Sequence, residues 1–230
     1  MTEKDPSPWS TPETVAGFAQ AGPNAALMEF AREERRRVAP GNALDIGCGA
    51  ARNAVPLAVS GWRVFGTDAS WPMLEAAAAR AASAGVQDRL RLAQATMTAL
   101  PVADDSADLI IAHGIWNLAR SGAEFREALR EGARVARPGA ALFVFTFSRH
   151  TLPPHVTAVA GETFVFTQFS GHPQCFLTRD QLLEELAAAG FVPDPAVALR
   201  ELNRPKGLLH SQSGPVIYEG IFRRAGVRCG

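Results

Sequence analysis

Apolar residues along this chain form short blocks separated by longer stretches with helical spacing. Residues 43–46, 63–67, 90–94, 108–112 and 140–146 read as strands, several of them almost continuously apolar. Between them, residues 53–60, 72–84 and 123–136 read as helices, the second rich in alanine and stopped by Gly85. Strand and helix in alternation, with little polar relief in the strands, predict a parallel sheet covered on both faces. Residues 24–38 read as an amphipathic helix ended by Pro40 and Gly41. Residues 1–23 are rich in Pro, Ser, Thr and Gly, with Trp9 as a large anchor, so they read as a mobile segment or a flap. The rhythm breaks over residues 149–175, which hold His150, His155, His172, several prolines and the alternating run Phe164 to Phe169. An insertion there lies over the carboxyl ends of the strands, where open α/β sheets bind ligands, and reads as part of a substrate lid. Thr178, Arg179, Asp180 and Gln181 form a capping-box signature for a helix that ends at Gly190.

The densest signal is Leu44-Asp45-Ile46-Gly47-Cys48-Gly49-Ala50-Ala51-Arg52-Asn53, followed by Val64-Phe65-Gly66-Thr67-Asp68. A strand enters a tight glycine turn, a helix follows, and a second strand ends in an acid placed for a ribose. Two glycines one residue apart let backbone N–H groups approach a ligand closely. A dinucleotide site would put a third glycine where Arg52 stands, and Asp45 at the end of the first strand would repel a pyrophosphate. The same acid favours a cation. S-adenosylmethionine (SAM) carries an ammonium and a sulfonium beside its adenosine, so Asp45 suits its amino end and Asp68 its ribose hydroxyls.

Composition narrows the partners. The chain has 230 residues, enough for one domain with a lid, and its formal net charge is zero. Zero net charge argues against nucleic acid and against an anionic membrane surface. The cluster Arg32-Glu33-Glu34-Arg35-Arg36-Arg37 mixes signs on a predicted helix and reads as a solvated face. Cys48, Cys175 and Cys229 are an odd set with no C-x-x-C pair, which points to a reducing cytoplasm and to no structural zinc. No apolar run reaches the length of a membrane span.

The ordered motifs resemble the class I SAM-dependent methyltransferases, in the branch that methylates small molecules. The resemblance rests on residues 44–53, on 64–70 with its acid, on Leu100-Pro101 before 107–111, and on Arg137-Pro138-Gly139 before 140–147. It is strong from residue 41 to 147, weaker to 191, and absent from the first thirty. It implies a Rossmann-like doubly wound sheet of seven strands, mostly parallel, with helices on both faces. Residues 191–202 and 215–222 would supply the last two strands as a hairpin, the final strand antiparallel. The whole chain, 1–230, is then a single methyltransferase domain, with residues 1–40 as an N-terminal flap and helix and 149–175 as the lid. Two departures stand out. Thr96 occupies the place where the family often has an aspartate on the adenine, and Ala51 replaces a common third glycine, at little expected cost.

By this resemblance Asp45 and the turn Gly47, Cys48, Gly49 hold the methionine part of SAM and Asp68 the ribose. Thr96 and Met97 border the adenine; Arg52 either meets the cofactor carboxylate or begins the helix. Asn53, Ala69, Met73 and Ala112 complete the expected contacts. After transfer the product is S-adenosylhomocysteine. Methyl transfer is an in-line displacement that needs positioning, and a base only where the nucleophile carries a proton. His113, after the fourth strand, is the candidate base. Trp9, Trp116, Asn117, His150, Phe169 and His172 are candidates for the substrate wall; Trp116 reads equally as ordinary core. The histidine spacing fits no metal pattern, and no metal is expected. The aromatics and histidines point to an apolar or aromatic small molecule, handled in the cytoplasm by a monomer or homodimer. Two rivals are a SAM-binding enzyme that performs cyclisation or decarboxylation, and an NAD-dependent oxidoreductase.

Overall fold

The computed structural model describes residues 8–204 and 214–226, which fall into two compact units. The first comprises residues up to 102 together with 107–109. Its parallel strands are β1 (Asn42–Ile46), β2 (Arg63–Asp68) and β3 (Leu90–Gln94). β2 lies between the other two, with Leu44 opposite Phe65 and Thr67 opposite Ala93. Four helices accompany them: α1 (Pro12–Gln20), α2 (Ala25–Arg37), α3 (Ala54–Val59) and α4 (Trp71–Ser83). Asn24 caps α2 by accepting from the Leu27 N–H at 2.9 Å. α1 lies inside the stretch read as a flap. Its start signal is local: Thr11 caps the helix, Pro12 fills its first turn, and Glu13 follows.

The second unit holds residues 103–106 and those from 110 onward. β4 (Ala107–His113) begins in the first unit and ends in the second. Then come α5 (Gly122–Val135), β5 (Ala136–Phe147), a small hairpin of β6 (Val165–Phe166) with β7 (Gln174–Cys175), and α6 (Arg179–Ala188). The chain closes with β8 (Phe191–Pro193), β9 (Arg200–Leu202) and β10 (Ile217–Arg224). The strand order of the main sheet is β3-β2-β1-β4-β5-β10-β8, with β9 also on β10. It is mostly parallel where α/β crossovers build it, and β10 runs antiparallel to β5, β8 and β9.

The sheet therefore has eight strands where seven were expected. The extra one arises because residues 191–202 do not run as one strand. Asp194 folds back on itself, its Oδ1 accepting from the Ala196 N–H at 2.8 Å, and Arg223 holds its Oδ2 at 2.6 Å. That side-chain turn, between Pro193 and Pro195, splits the segment into β8 and β9. Both halves still pair with β10, at its two ends.

The insertion after β5 keeps only two residues of its alternating run in a strand. A turn from Thr167 to Gly171 ends it. Phe164 packs edge-on against Phe125 of α5, with ring centroids 5.4 Å apart, and both rings are buried. Phe166 instead joins Leu152 and Phe176 in a separate apolar cluster. Arg149 ties the start of the insertion down. Its guanidinium donates to the carbonyls of Leu152, Pro153, Pro154 and Val156 and lies 4.8 Å from the Phe166 ring centre. The Thr178–Gln181 capping box opens α6 as the sequence predicts. Replacing Phe125 by Ala empties a fully buried site and is expected to cost about 3–5 kcal/mol, read as a lower urea midpoint at unchanged slope.

Candidate functional site

In the first unit the end of β1 and the end of β2 meet a single turn. The Cys48 N–H donates to the Thr67 carbonyl at 2.8 Å, which fixes the turn against β2. Gly47 (φ +66°) and Gly49 (φ +52°) take the left-handed conformation that the glycine pair predicts. Ala51 also sits there, at φ +58°. This corrects the expectation of little cost, since a residue with a Cβ loses about 1–2 kcal/mol in that conformation.

Asp45 is buried, and its Oδ2 has no hydrogen-bond partner. Burial, reinforced by the nearby Asp68 and opposed by Arg52, pushes its pKa from 3.8 up to about 7. A buried carboxylate oxygen left unpaired is costly unless a donor arrives, and an ammonium group supplies one. Asp68 is held more firmly. Its Oδ2 accepts from the Gly49 N–H at 2.9 Å and its Oδ1 from the Ser70 N–H at 2.8 Å. Burial raises its pKa, and the N–H groups of Ser70, Gly49 and Ala69 oppose that rise. Each oxygen keeps lone-pair capacity for a hydroxyl donor.

Cys48 fills the space that Gly66 leaves on β2. A Cβ on Gly66 would come 2.9 Å from the Cys48 sulfur and 3.0 Å from Leu92. Burial, then the charges of Asp45 and Asp68, push the thiol well above its usual range, so Cys48 is an inert small residue. A Cβ on Gly49 would meet Phe18 of α1 at 3.4 Å and the Met73 sulfur at 3.9 Å. Phe18 thus borders the turn together with the expected Met73. The sequence pattern names Trp9 and not Phe18 as the anchor of the flap; the apolar place of Phe18 in a Thr-capped helix is the available signal.

The other expected cofactor residues have varied settings. Asn53 is buried, and its Oδ1 accepts from the Asn24 N–H at 3.0 Å, tying α2 to the turn. Arg52 is half-buried. The Ala69 carbonyl accepts from the Gln94 amide at 2.9 Å. Thr96 is exposed, 3.2 Å from the Thr98 hydroxyl, and Met97 is half-buried. The Trp9 ring lies edge-on to Phe18 at 6.0 Å, while Ser70 Oγ donates to the Trp9 carbonyl and lies 3.0 Å from Ser10 Oγ. Arg80 of α4 donates to the Ala19 and Ala21 carbonyls at the end of α1. These bonds dock the N-terminal helix on the unit that carries the turn.

In the second unit, Ala112 is buried and His113 is stacked on Phe145, rings 4.0 Å apart and 11° from parallel. Trp116 is 1% exposed and packs on α5, where a Cβ on Gly132 would lie 3.2 Å from its ring. Trp116 Nε1 and Asn117 Oδ1 are both buried and without hydrogen-bond partners. Phe169, 45% exposed, leans on Phe147 and Phe176. His150 pairs through Nδ1 with Glu201 at 2.6 Å, a partner the sequence reading did not find. His172 is exposed, and its backbone N–H reaches Ser170 Oγ at 3.4 Å. Among the described residues no cluster of three or more His, Cys, Asp or Glu side chains could hold a metal, and no helix is long and apolar enough to cross a membrane.

Residues 44–144 match the family described as "Methyltransferase domain". Methyltransferase GfsG of Streptomyces halstedii is 36% identical over 154 residues, which are 66% of this chain and 53% of that protein. The chain thus spans about half the length of that relative. Demethylmenaquinone methyltransferase of Mycobacterium tuberculosis is 34% identical over 175 residues, covering 73% of this chain and 67% of that one. In fold, the chain is similar to a Burkholderia thailandensis 1,6-didemethyltoxoflavin N1-methyltransferase with bound S-adenosylhomocysteine. That likeness has a TM-score of 0.65 at 18% identity and covers 88% of this chain and 80% of that one. With an unpaired acid at the end of β1, a glycine turn and a second acid at the end of β2, this chain belongs to the class I SAM-dependent methyltransferases.

Proposed function

We propose that the protein transfers a methyl group from SAM to a small, apolar or aromatic molecule. The observation that carries this reading is the Asp45 Oδ2 atom, buried and without a partner beside a turn of left-handed glycines. When bound, SAM supplies an electrophilic methyl group on a sulfonium leaving group. Asp45 would take its ammonium, the Gly47–Gly49 turn would back its methionine part, and Asp68 would take its ribose hydroxyls. Arg52, Asn53, Ala69, Met73, Thr96, Met97 and Ala112 remain the proposed further contacts, and Phe18 joins them. An NAD site finds no support, because Arg52 stands where its third glycine would be.

The acceptor side is argued from the second unit alone. His113 with Phe145, and Phe169 with Phe147 and Phe176, form aromatic surfaces suited to an apolar or aromatic acceptor. Trp9, Trp116, Asn117, His150 and His172 stay proposed substrate residues, with the buried Trp116 and Asn117 acting from beneath the surface. A formal net charge of zero favours a small molecule over nucleic acid. Among the described residues Cys48 and Cys175 are free thiols, which suits the cytoplasm, and the proposed form is a monomer or homodimer.

Titration calorimetry with SAM and S-adenosylhomocysteine tests the reading. Micromolar binding is expected, and Asp68→Ala should weaken it by about 2 kcal/mol, some thirtyfold; absence of binding by the wild type sinks the proposal. The affinity should also depend on pH. Asp45 must be ionised to pair with an ammonium, so binding weakens as pH falls below about 7, by up to about tenfold per unit, and Asp45→Asn removes that dependence. Stability without ligand carries the complementary slope. Between 3.8 and about 7 the folded chain holds a proton at Asp45 that the unfolded chain has released, so stability falls as pH rises through that window. The difference in thermal midpoint between wild type and Asp45→Asn, followed across the same window, reads this directly.

A further inference from the structure

β5 and β9 both run antiparallel to β10, so they point the same way and their carboxyl ends lie at one end of the sheet. Open α/β sheets bind their ligands beyond that end. There the structure gathers a polar cluster, all of it in the second unit. Ser148, the first residue after β5, is fully buried; its Oγ donates to Glu201 Oε1 at 2.5 Å and accepts from the His150 N–H at 3.1 Å. His150 sits in the turn Arg149–Thr151 that Ser148 caps. Its Nδ1 meets the same Glu201 oxygen at 2.6 Å. Arg204 reaches Glu201 Oε2 at 3.3 Å, and the buried Tyr218 of β10 interacts with Ser148 and Glu201.

Glu201 is an ionised carboxylate. Burial alone would raise its pKa, but hydrogen bonds from Ser148 and His150, with the charge of Arg204, hold it below its ordinary range. An ionised carboxylate only accepts, so the proton on Nδ1 belongs to the imidazole. In the neutral form of the ring the lone pair then lies on Nε2, which has no partner among the described residues, on a side chain 49% exposed. One nitrogen held by a carboxylate and the other open is the arrangement of an oriented base. The charged and titratable groups around it are Glu201 and Arg204 on or just after β9, Tyr218 on β10, and Arg179 of α6, which acts on Tyr218.

We propose that His150, oriented by Glu201, is the general base of this enzyme in place of His113, whose ring is stacked on Phe145, and that the methyl acceptor is a hydroxylated molecule. The inference rests on the methyltransferase reading above. The acceptor O–H bond breaks and its proton passes to Nε2. The freed oxygen pair forms the bond to the methyl carbon, and the pair of the broken carbon–sulfur bond stays on sulfur. The positive charge thus ends on the imidazole ring, where Glu201 faces it, and the proton leaves to water before the next turnover.

Two measurements on the full-length chain test this. The first needs no acceptor: nitrogen-15 spectra of the imidazole rings with S-adenosylhomocysteine present. His150 is expected as the Nδ1–H tautomer in wild type and as a mixture in Glu201→Gln; a wild-type ring protonated at Nε2 overturns the proposal. The second compares naphthols and hydroquinones with aryl thiols of matched size. His150→Gln should lower kcat on the hydroxylated probes by about a hundredfold or more and flatten the acidic limb of the pH profile. Transfer to thiols, already ionised, should change by less than about threefold. Equal losses on both classes, or a wild type that binds S-adenosylhomocysteine yet methylates no hydroxylated probe, overturns it. Calorimetry with S-adenosylhomocysteine separates the failures: lost binding in wild type sinks the methyltransferase reading, whereas the variant's affinity should be unchanged.

Discussion

A carboxylate buried with one oxygen unpartnered organises the first unit. Asp45 lies near the end of a strand beside the buried apolar residues Ala43, Leu44 and Ile46, so water cannot solvate it fully. The chain supplies Arg52 nearby but also Asp68, and the balance leaves the acid poised between its two protonation states near neutral pH. Everything around it suits an incoming cation. The left-handed glycines keep the turn free of side chains at Gly47 and Gly49, Cys48 keeps it tight against Gly66, and Phe18 borders Gly49. On the proposed reading, an ammonium at Asp45 would relieve the cost of burying it and couple binding to folding through one side chain.

Much of this was legible in the sequence because it is local. A strand, two glycines one residue apart and an acid at the end of the next strand are set by backbone sterics within a few residues, and β3 carries the predicted boundaries. Asp194 marks the limit. Its short side-chain turn, closed by Arg223 from a distant strand, cuts one expected strand into two, and no periodicity announces that. The N-terminal helix was hidden differently. Pro, Ser, Thr and Gly suit a mobile segment or flap, but Thr11 and Pro12 are also the residues expected at a helix start.

The candidate site divides along the same line. Asp45, Gly47, Gly49 and Asp68 could be named because one motif contains them all. Phe18 and the Glu201 partner of His150 could not, since their contacts join residues far apart in the chain. The Trp116 ambiguity was real in sequence terms: helical spacing cannot tell a ring that faces a ligand from one seated on Gly132.

β10 has a consequence for how the chain reaches its final form. Three strands, β5, β8 and β9, take their hydrogen bonds from this one segment, which lies at residues 217–224. Until it arrives, β5 presents a long apolar edge with open backbone groups, the kind of surface that templates pairing between chains. During synthesis on a ribosome, the first unit can close long before the second, whose sheet waits for residues 217–224 to emerge. Self-association during that interval is the hazard built into this topology.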